Sequence, residues 1–140
     1  MIRRTPALLA VLFLASACGS QAPTQSEIYA ESVRCFLAAA EYSAWLQFTH
    51  NAAGQARMER HGIALVVKMT AAGKEIGKSK DAVDAEIAAN MDETSPKEKF
   101  YPYRFLGVTS EEDSDTMHLT DFAKQEIDHC GLKAVAAGHP

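Results

Sequence analysis

The sequence predicts an all-α fold, a small bundle of about four helices over residues 26–135, with one disulfide between the first and last helices. Apolar residues recur at helical spacing along most of this range, and no stretch sustains the apolar–polar alternation that is typical of β-strands. The composition is 47% hydrophobic and 23% charged, which indicates a folded domain and excludes wholesale disorder.

Residues 1–17 have the pattern of a secretory signal peptide. Arg3 and Arg4 give a positive start, and an apolar run then extends from Ala7 to Ala15. This run is too short to span a bilayer permanently. Removal of residues 1–17 leaves 12 basic and 18 acidic residues in the mature chain. We therefore expect no nucleic-acid partner.

The segment ASACGS around Cys18 resembles the lipobox of bacterial lipoproteins. In that family the cysteine is acylated and becomes the first residue of the mature protein. The family pattern prefers Leu three places before the cysteine, whereas this chain has Ala15 there and Leu one place earlier. The resemblance implies a lipid anchor at Cys18, a tether over 18–25 and a location in the periplasm or cell envelope. The alternative is simple release into the periplasm after Ala17.

The count of cysteines bears on the pairing of the other two. Three cysteines in an exported chain leave one without a partner, which is a liability in an oxidising compartment. If Cys18 is acylated, Cys35 and Cys130 remain, and we expect them to form a disulfide. The alternative is a pair of buried free thiols.

The first two helices are expected to form an antiparallel hairpin. The first, over 26–49, follows a capping-box pattern at Thr24 and Glu27. The second, over 54–77, repeats the apolar spacing of the first after a short connection. The opposite face of the second helix is basic, with Arg57, Arg60, His61, Lys68, Lys74 and Lys78.

The remaining elements are shorter. A third helix is expected over 80–91, and a helical turn is expected to begin at Ser95, before a proline. Segment 100–105 contains Pro102 and is expected to be an extended loop. The last helix is expected over 116–130, where a glycine follows as a stop signal.

Two neighbouring segments have the composition of a protein-binding surface. Segment 100–105 combines four aromatic residues with an arginine, and acidic residues cluster over 111–115. One alternative is that the aromatic residues pack over one end of the bundle. Another is that the acidic segment 109–128 complements the basic segment 57–80 within the bundle. The candidate partner-binding residues are Trp45, Phe100, Tyr101, Tyr103, Arg104, Phe105, Glu111, Glu112 and Asp113.

The sequence contains no Gly-x-Ser-x-Gly motif, no glycine-rich phosphate loop and no His-Glu-x-x-His motif. We therefore expect no enzyme, no cofactor and no metal site. Glu126 and His129 have the Glu-x-x-His spacing of di-iron bundles, but such bundles need two of these pairs, and we interpret this one as facing solvent. By elimination, the expected function is the binding of another envelope or periplasmic protein, as an inhibitor, immunity factor or accessory subunit. The alternative is a carrier that holds a small ligand or metal inside the bundle.

Overall fold

The computed structural model describes residue 19 and residues 21–92, 101–108 and 117–139. This part of the chain forms six helices and one two-stranded antiparallel sheet, so the all-α class is confirmed with more helices than the four expected. The helices are α1 (Gln25–Phe48), α2 (Ala52–Glu75), α3 (Lys80–Met91), α4 (Tyr101–Phe105), α5 (Asp121–His129) and α6 (Leu132–Ala137), and the strands are β1 (Leu106–Val108) and β2 (Met117–Leu119). None of the described helices is both long and apolar enough to cross a membrane.

Local capping explains where α1 and α2 begin. The Thr24 hydroxyl accepts a hydrogen bond from the Glu27 amide at 3.2 Å, and the Glu27 carboxylate accepts one from the Thr24 amide at 2.7 Å. Asn51 caps α2 by accepting from the Gly54 amide at 2.9 Å. The short connection folds α2 back along α1, as the hairpin prediction requires.

The core lies between the α1–α2 hairpin and the C-terminal helices. Its largest fully buried apolar side chains are Phe105, Met58, Met69, Ile127 and Leu132. The predicted disulfide is confirmed: Cys35 of α1 is bonded to Cys130 at the end of α5, with Cα atoms 5.6 Å apart. The predicted stop is also present, because Gly131 adopts a positive φ of 64° between α5 and α6. The last helix, α6, has no counterpart in the prediction.

The prediction of an extended loop over 100–105 is wrong from Tyr101 onward, because α4 is helical there. Pro102 is the second residue of α4. In the first turn of a helix, the amide that proline lacks would have no carbonyl partner within the helix. The proline therefore permits a helix that starts beside it.

The last predicted helix begins later than residue 116. Thr120 is the N-cap of α5, because its hydroxyl accepts from the Ala123 amide at 3.1 Å. Residues just before it form β2, in which His118 lies opposite Gly107 of β1. The ring of His118 occupies the space of a side chain at Gly107, since a Cβ there would lie 2.7 Å from the His118 Cε1 atom. The expectation of a chain without strands is thus corrected.

Candidate functional site

The aromatic segment is divided between core and surface. Tyr101 is 8% exposed and Phe105 is fully buried, whereas Tyr103 is 54% exposed. The Tyr101 ring lies between Phe105 and Phe122, with ring centroids 5.9 and 5.4 Å away. The packing alternative therefore describes Tyr101 and Phe105, whose burial leaves them no surface to offer a partner.

Of the remaining candidate partner-binding residues, the structure describes Arg104 on α4 and Trp45 on α1. The guanidinium of Arg104 lies 4.1 Å from the ring centroid of Phe122, which is a cation–π contact. Trp45 is half-buried on α1, and its ring contacts that of Phe48 at a centroid distance of 5.7 Å. Phe100, Glu111, Glu112 and Asp113 lie outside the described residues, as does the helical turn expected at Ser95.

An ion pair between the half-exposed Arg34 and the buried carboxylate of Glu126 connects α1 to α5. Arg34 donates from Nε to the Glu126 Oε2 atom at 2.8 Å and from Nη2 to Oε1 at 2.5 Å. The Tyr101 hydroxyl donates to the same carboxylate at 3.0 Å. The hydrogen bonds from Arg34 hold the pKa of Glu126 below its usual value, and burial raises the pKa of Tyr101. Glu126 is 3% exposed, so the prediction that it faces solvent is wrong.

The polar cluster beside the disulfide does not fit a divalent metal. Ligand atoms of Glu31, His129 and Cys130 lie within 4.8 Å of one another. The Cys130 sulfur is bonded to Cys35, however, and cannot act as a thiolate ligand. The His129 Nε2 atom lies 2.6 Å from Glu31 and 3.1 Å from the Arg34 Nη1 atom, so a guanidinium already faces the nitrogen that a metal would use.

An apolar cavity of about 310 Å³ opens between α1 and α2. Gly62 makes room for it, because a Cβ at this position would lie 3.8 Å from the Phe36 ring, in ordinary contact across the opening. The lining combines small residues with larger apolar ones. The lining is Phe36, Ala39, Ala40, Ser43, Met58, Glu59, Gly62, Ile63 and Val66.

A second apolar cavity, of about 230 Å³, continues from the first towards α3. Phe36 and Val66 line both cavities, so the two form one depression, which we call the apolar groove. Ile87, Ala88 and Met91 close its α3 side, together with Met69, Val83 and Asp84. The sequence prediction missed this groove, for which glycine at position 62 and the small residues at 39, 40 and 43 are the signal.

Comparison of the chain with protein-family models, with curated proteins and with solved structures gives no match.

Proposed function

We propose that the protein is exported, is anchored to a membrane through an acyl chain on Cys18, and acts by binding an envelope protein through the apolar groove. The observation that carries this proposal is the groove itself, whose lining from three helices is almost entirely apolar. An apolar cleft between helices is the kind of surface in which an amphipathic helix of another protein docks. An inhibitor, an immunity factor or an accessory subunit would each use such a surface.

The groove is best suited to an amphipathic helix of the partner. The small residues Ala39, Ala40, Ser43 and Gly62 in its lining allow a third helix to approach the α1–α2 pair closely, and apolar residues spaced three and four apart would enter the two cavities. Glu59 and Asp84 also lie in the lining, but Asp84 is already paired with Lys80. Glu59, which forms none of the described ion pairs, favours a partner helix that carries Lys or Arg beside its apolar stripe.

The carrier alternative has less support. Side chains from α1, α2, α4 and α5 fill the described core, with Phe105, Met58 and Ile127 fully buried there. A small ligand would normally be enclosed over most of its surface. The groove instead lies at the surface of the helices, where a partner helix can enter from one side.

Blocking the groove is expected to abolish partner binding. Gly62→Gln fills the opening, and the gain of about 0.5–1 kcal/mol in helix propensity offsets part of the cost of placing an amide among the apolar residues around the buried Gly62. Circular dichroism and the melting temperature of the variant check that it remains folded. A photo-reactive residue at Ser43, inside the groove, should crosslink one envelope protein, and Gly62→Gln should remove that product.

The control for this experiment is the same photo-reactive residue at Gln125, which is exposed on α5. It should give no such product. Equal crosslinking from both positions, or a product from Ser43 that survives Gly62→Gln, would contradict binding in the groove.

The lipid anchor is tested by Cys18→Ala. We expect the wild type to partition into the detergent phase on phase separation of extracted membranes, because an acyl chain contributes about 0.8 kcal/mol per buried CH₂. The variant should be found in the aqueous phase. The mass of the N-terminal peptide gives an independent measurement, and an unmodified Cys18 thiol in the mature wild type would refute the anchor.

A further inference from the structure

The outward face of α2 carries an exposed apolar stripe. Ala56, Arg60, Ile63, Val67, Ala71 and Lys74 follow one another in steps of three or four, so they lie on one face of the helix, and all are exposed. Ile63 is 67% exposed and Val67 is 66% exposed, the highest values among the large hydrophobic residues described. We call this set the α2 stripe.

Three cations on or beside the α2 stripe have no anionic partner within the described part of the chain. Arg60, Lys68 and Lys74 are exposed and form none of the described ion pairs. Lys68 lies to one side of the stripe, where it lines a cavity with Glu27 and Glu31 of α1. By contrast, the lysines on other surfaces are paired: Lys78 with Glu86, Lys80 with Asp84, Lys124 with Asp121 and Lys133 with Asp128. The expected complementarity between the basic helix and the acidic segment is therefore not formed by the described residues of α5.

The acidic residues of α2 lie to the sides of these cations. Glu59 accepts a hydrogen bond from Gln55 at 3.0 Å and lines the groove, and Glu75 is the last residue of the helix. The stripe thus has two branched aliphatic side chains at its centre, with Arg60 on one side of them and Lys74 on the other. This combination is typical of a helix that lies in a membrane interface.

We propose that the α2 stripe binds the surface of an anionic phospholipid membrane, with Ile63 and Val67 at the boundary of the acyl chains. A membrane surface is favoured because the exposed apolar residues and the cations Arg60 and Lys74, unpaired within the described residues, lie on one outward face of the helix. The negative headgroups attract Arg60, Lys68 and Lys74. The overall negative charge of the chain matters less, since charges more than about 10 Å apart are largely screened at 0.1 M salt.

The start of α1 lies where a lipid anchor at Cys18 could reach the same membrane as the α2 stripe. The ring of Tyr29, in the first turns of α1, lies beside Gly73, where a Cβ would be 3.2 Å from it. The start of α1 is therefore next to the Lys74 end of the stripe. Six residues separate Cys18 from Gln25, and they span at most about 20 Å, enough to pass a helix about 10 Å wide. This step rests on the proposed acylation, whereas the stripe and its cations do not.

The test uses residues 18–140 with Cys18→Ser, which has no acyl chain and retains every described helix. We expect it to sediment with vesicles made of equal parts phosphatidylglycerol and phosphatidylcholine, but not with pure phosphatidylcholine. Binding should weaken as salt is added. Replacing Arg60, Lys68 and Lys74 together by Gln should reduce the affinity about 100-fold, since each cation near the surface contributes about 1 kcal/mol.

The matched control removes the same number of charges elsewhere. Lys80, Lys124 and Lys133 are replaced together by Gln, and binding should be retained, because these lysines lie off the α2 stripe in exposed pairs. An equal loss in both triple variants would overturn the proposal. So would the absence of binding to anionic vesicles at low salt by protein whose circular dichroism is native.

A single substitution tests the apolar part. Val67→Glu should abolish vesicle binding. Gln125→Glu adds the same charge at an exposed position of α5 and should leave vesicle binding unchanged. Val67 does not line the groove, so this variant should still crosslink its partner from Ser43. Loss of vesicle binding with retained crosslinking supports two surfaces that share Ile63 at their border, and unchanged vesicle binding by Val67→Glu refutes the membrane proposal.

Discussion

Removal of the disulfide is expected to lower the free energy of unfolding by about 2–5 kcal/mol. Cys35 and Cys130 are 95 positions apart, so the bond closes a loop that contains most of the described domain. The chain-entropy estimate for a loop of about 100 residues is about 4.7 kcal/mol, a large part of the stability of a small domain. The variant Cys35→Ala/Cys130→Ala should therefore melt on the order of 10 °C lower.

Alanine is the suitable replacement because Cys35 is 7% exposed and a serine would bury a hydroxyl. Denaturant titration of the double variant, the oxidised wild type and the wild type with reductant gives the comparison. The reduced wild type should resemble the double variant. Equal stability of the oxidised and reduced proteins would contradict the prediction, as would alkylation of both cysteines in the native protein before reductant is added.

The helices that the sequence predicts well are those whose ends depend on neighbouring residues. The predicted ranges 26–49 and 80–91 agree with α1 and α3 to within a residue. Thr24 and Ser79 directly precede these helices, and the side chain of each accepts a hydrogen bond from the amide three positions further on. The second helix begins two residues earlier than predicted. Its cap is Asn51, which has the same local mechanism but was assigned to the connection.

The elements that the sequence does not predict depend on contacts between distant segments or are too short to show a period. Strands β1 and β2 have three residues each, which is less than the alternation pattern needs. The helical state of α4 accompanies the burial of Phe105 in the core, and no local signal reports that burial. Proline alone is compatible with both a loop and the first turn of a helix.

The candidate sites were harder to predict than the fold for a related reason. Hydrophobic periodicity describes one helix at a time, whereas the groove exists because Gly62 of α2 faces Phe36 of α1. The basic face of α2 was predicted, but not which of its cations stay unpaired. Likewise, the spacing of Glu126 and His129 could not show that Arg34, 92 positions earlier, reaches Glu126.

The second large effect is expected from this ion pair. Arg34→Ala leaves the carboxylate of Glu126 buried without its cation, which costs about 3–5 kcal/mol for a fully buried pair. The side chain of Arg34 is 42% exposed, so solvent reduces the expected loss to about 2–3 kcal/mol at pH 7. Tyr101→Phe, which removes one hydrogen bond to the same carboxylate, should cost only about 1 kcal/mol.

The pH dependence of the destabilisation by Arg34→Ala shows whether it comes from the lost ion pair or from lost packing of the arginine side chain. Because Arg34 lowers the pKa of Glu126 in the folded state, the stabilisation is present above the unfolded pKa and is lost as the pH falls through the folded pKa. Denaturant titrations across acidic pH should therefore show the difference between the wild type and Arg34→Ala shrinking on acidification. Arg34→Ala/Glu126→Gln should be more stable at pH 7 than Arg34→Ala alone, since it buries no uncompensated charge. A pH-independent difference, or a double variant no better than Arg34→Ala, would contradict the role of the buried carboxylate.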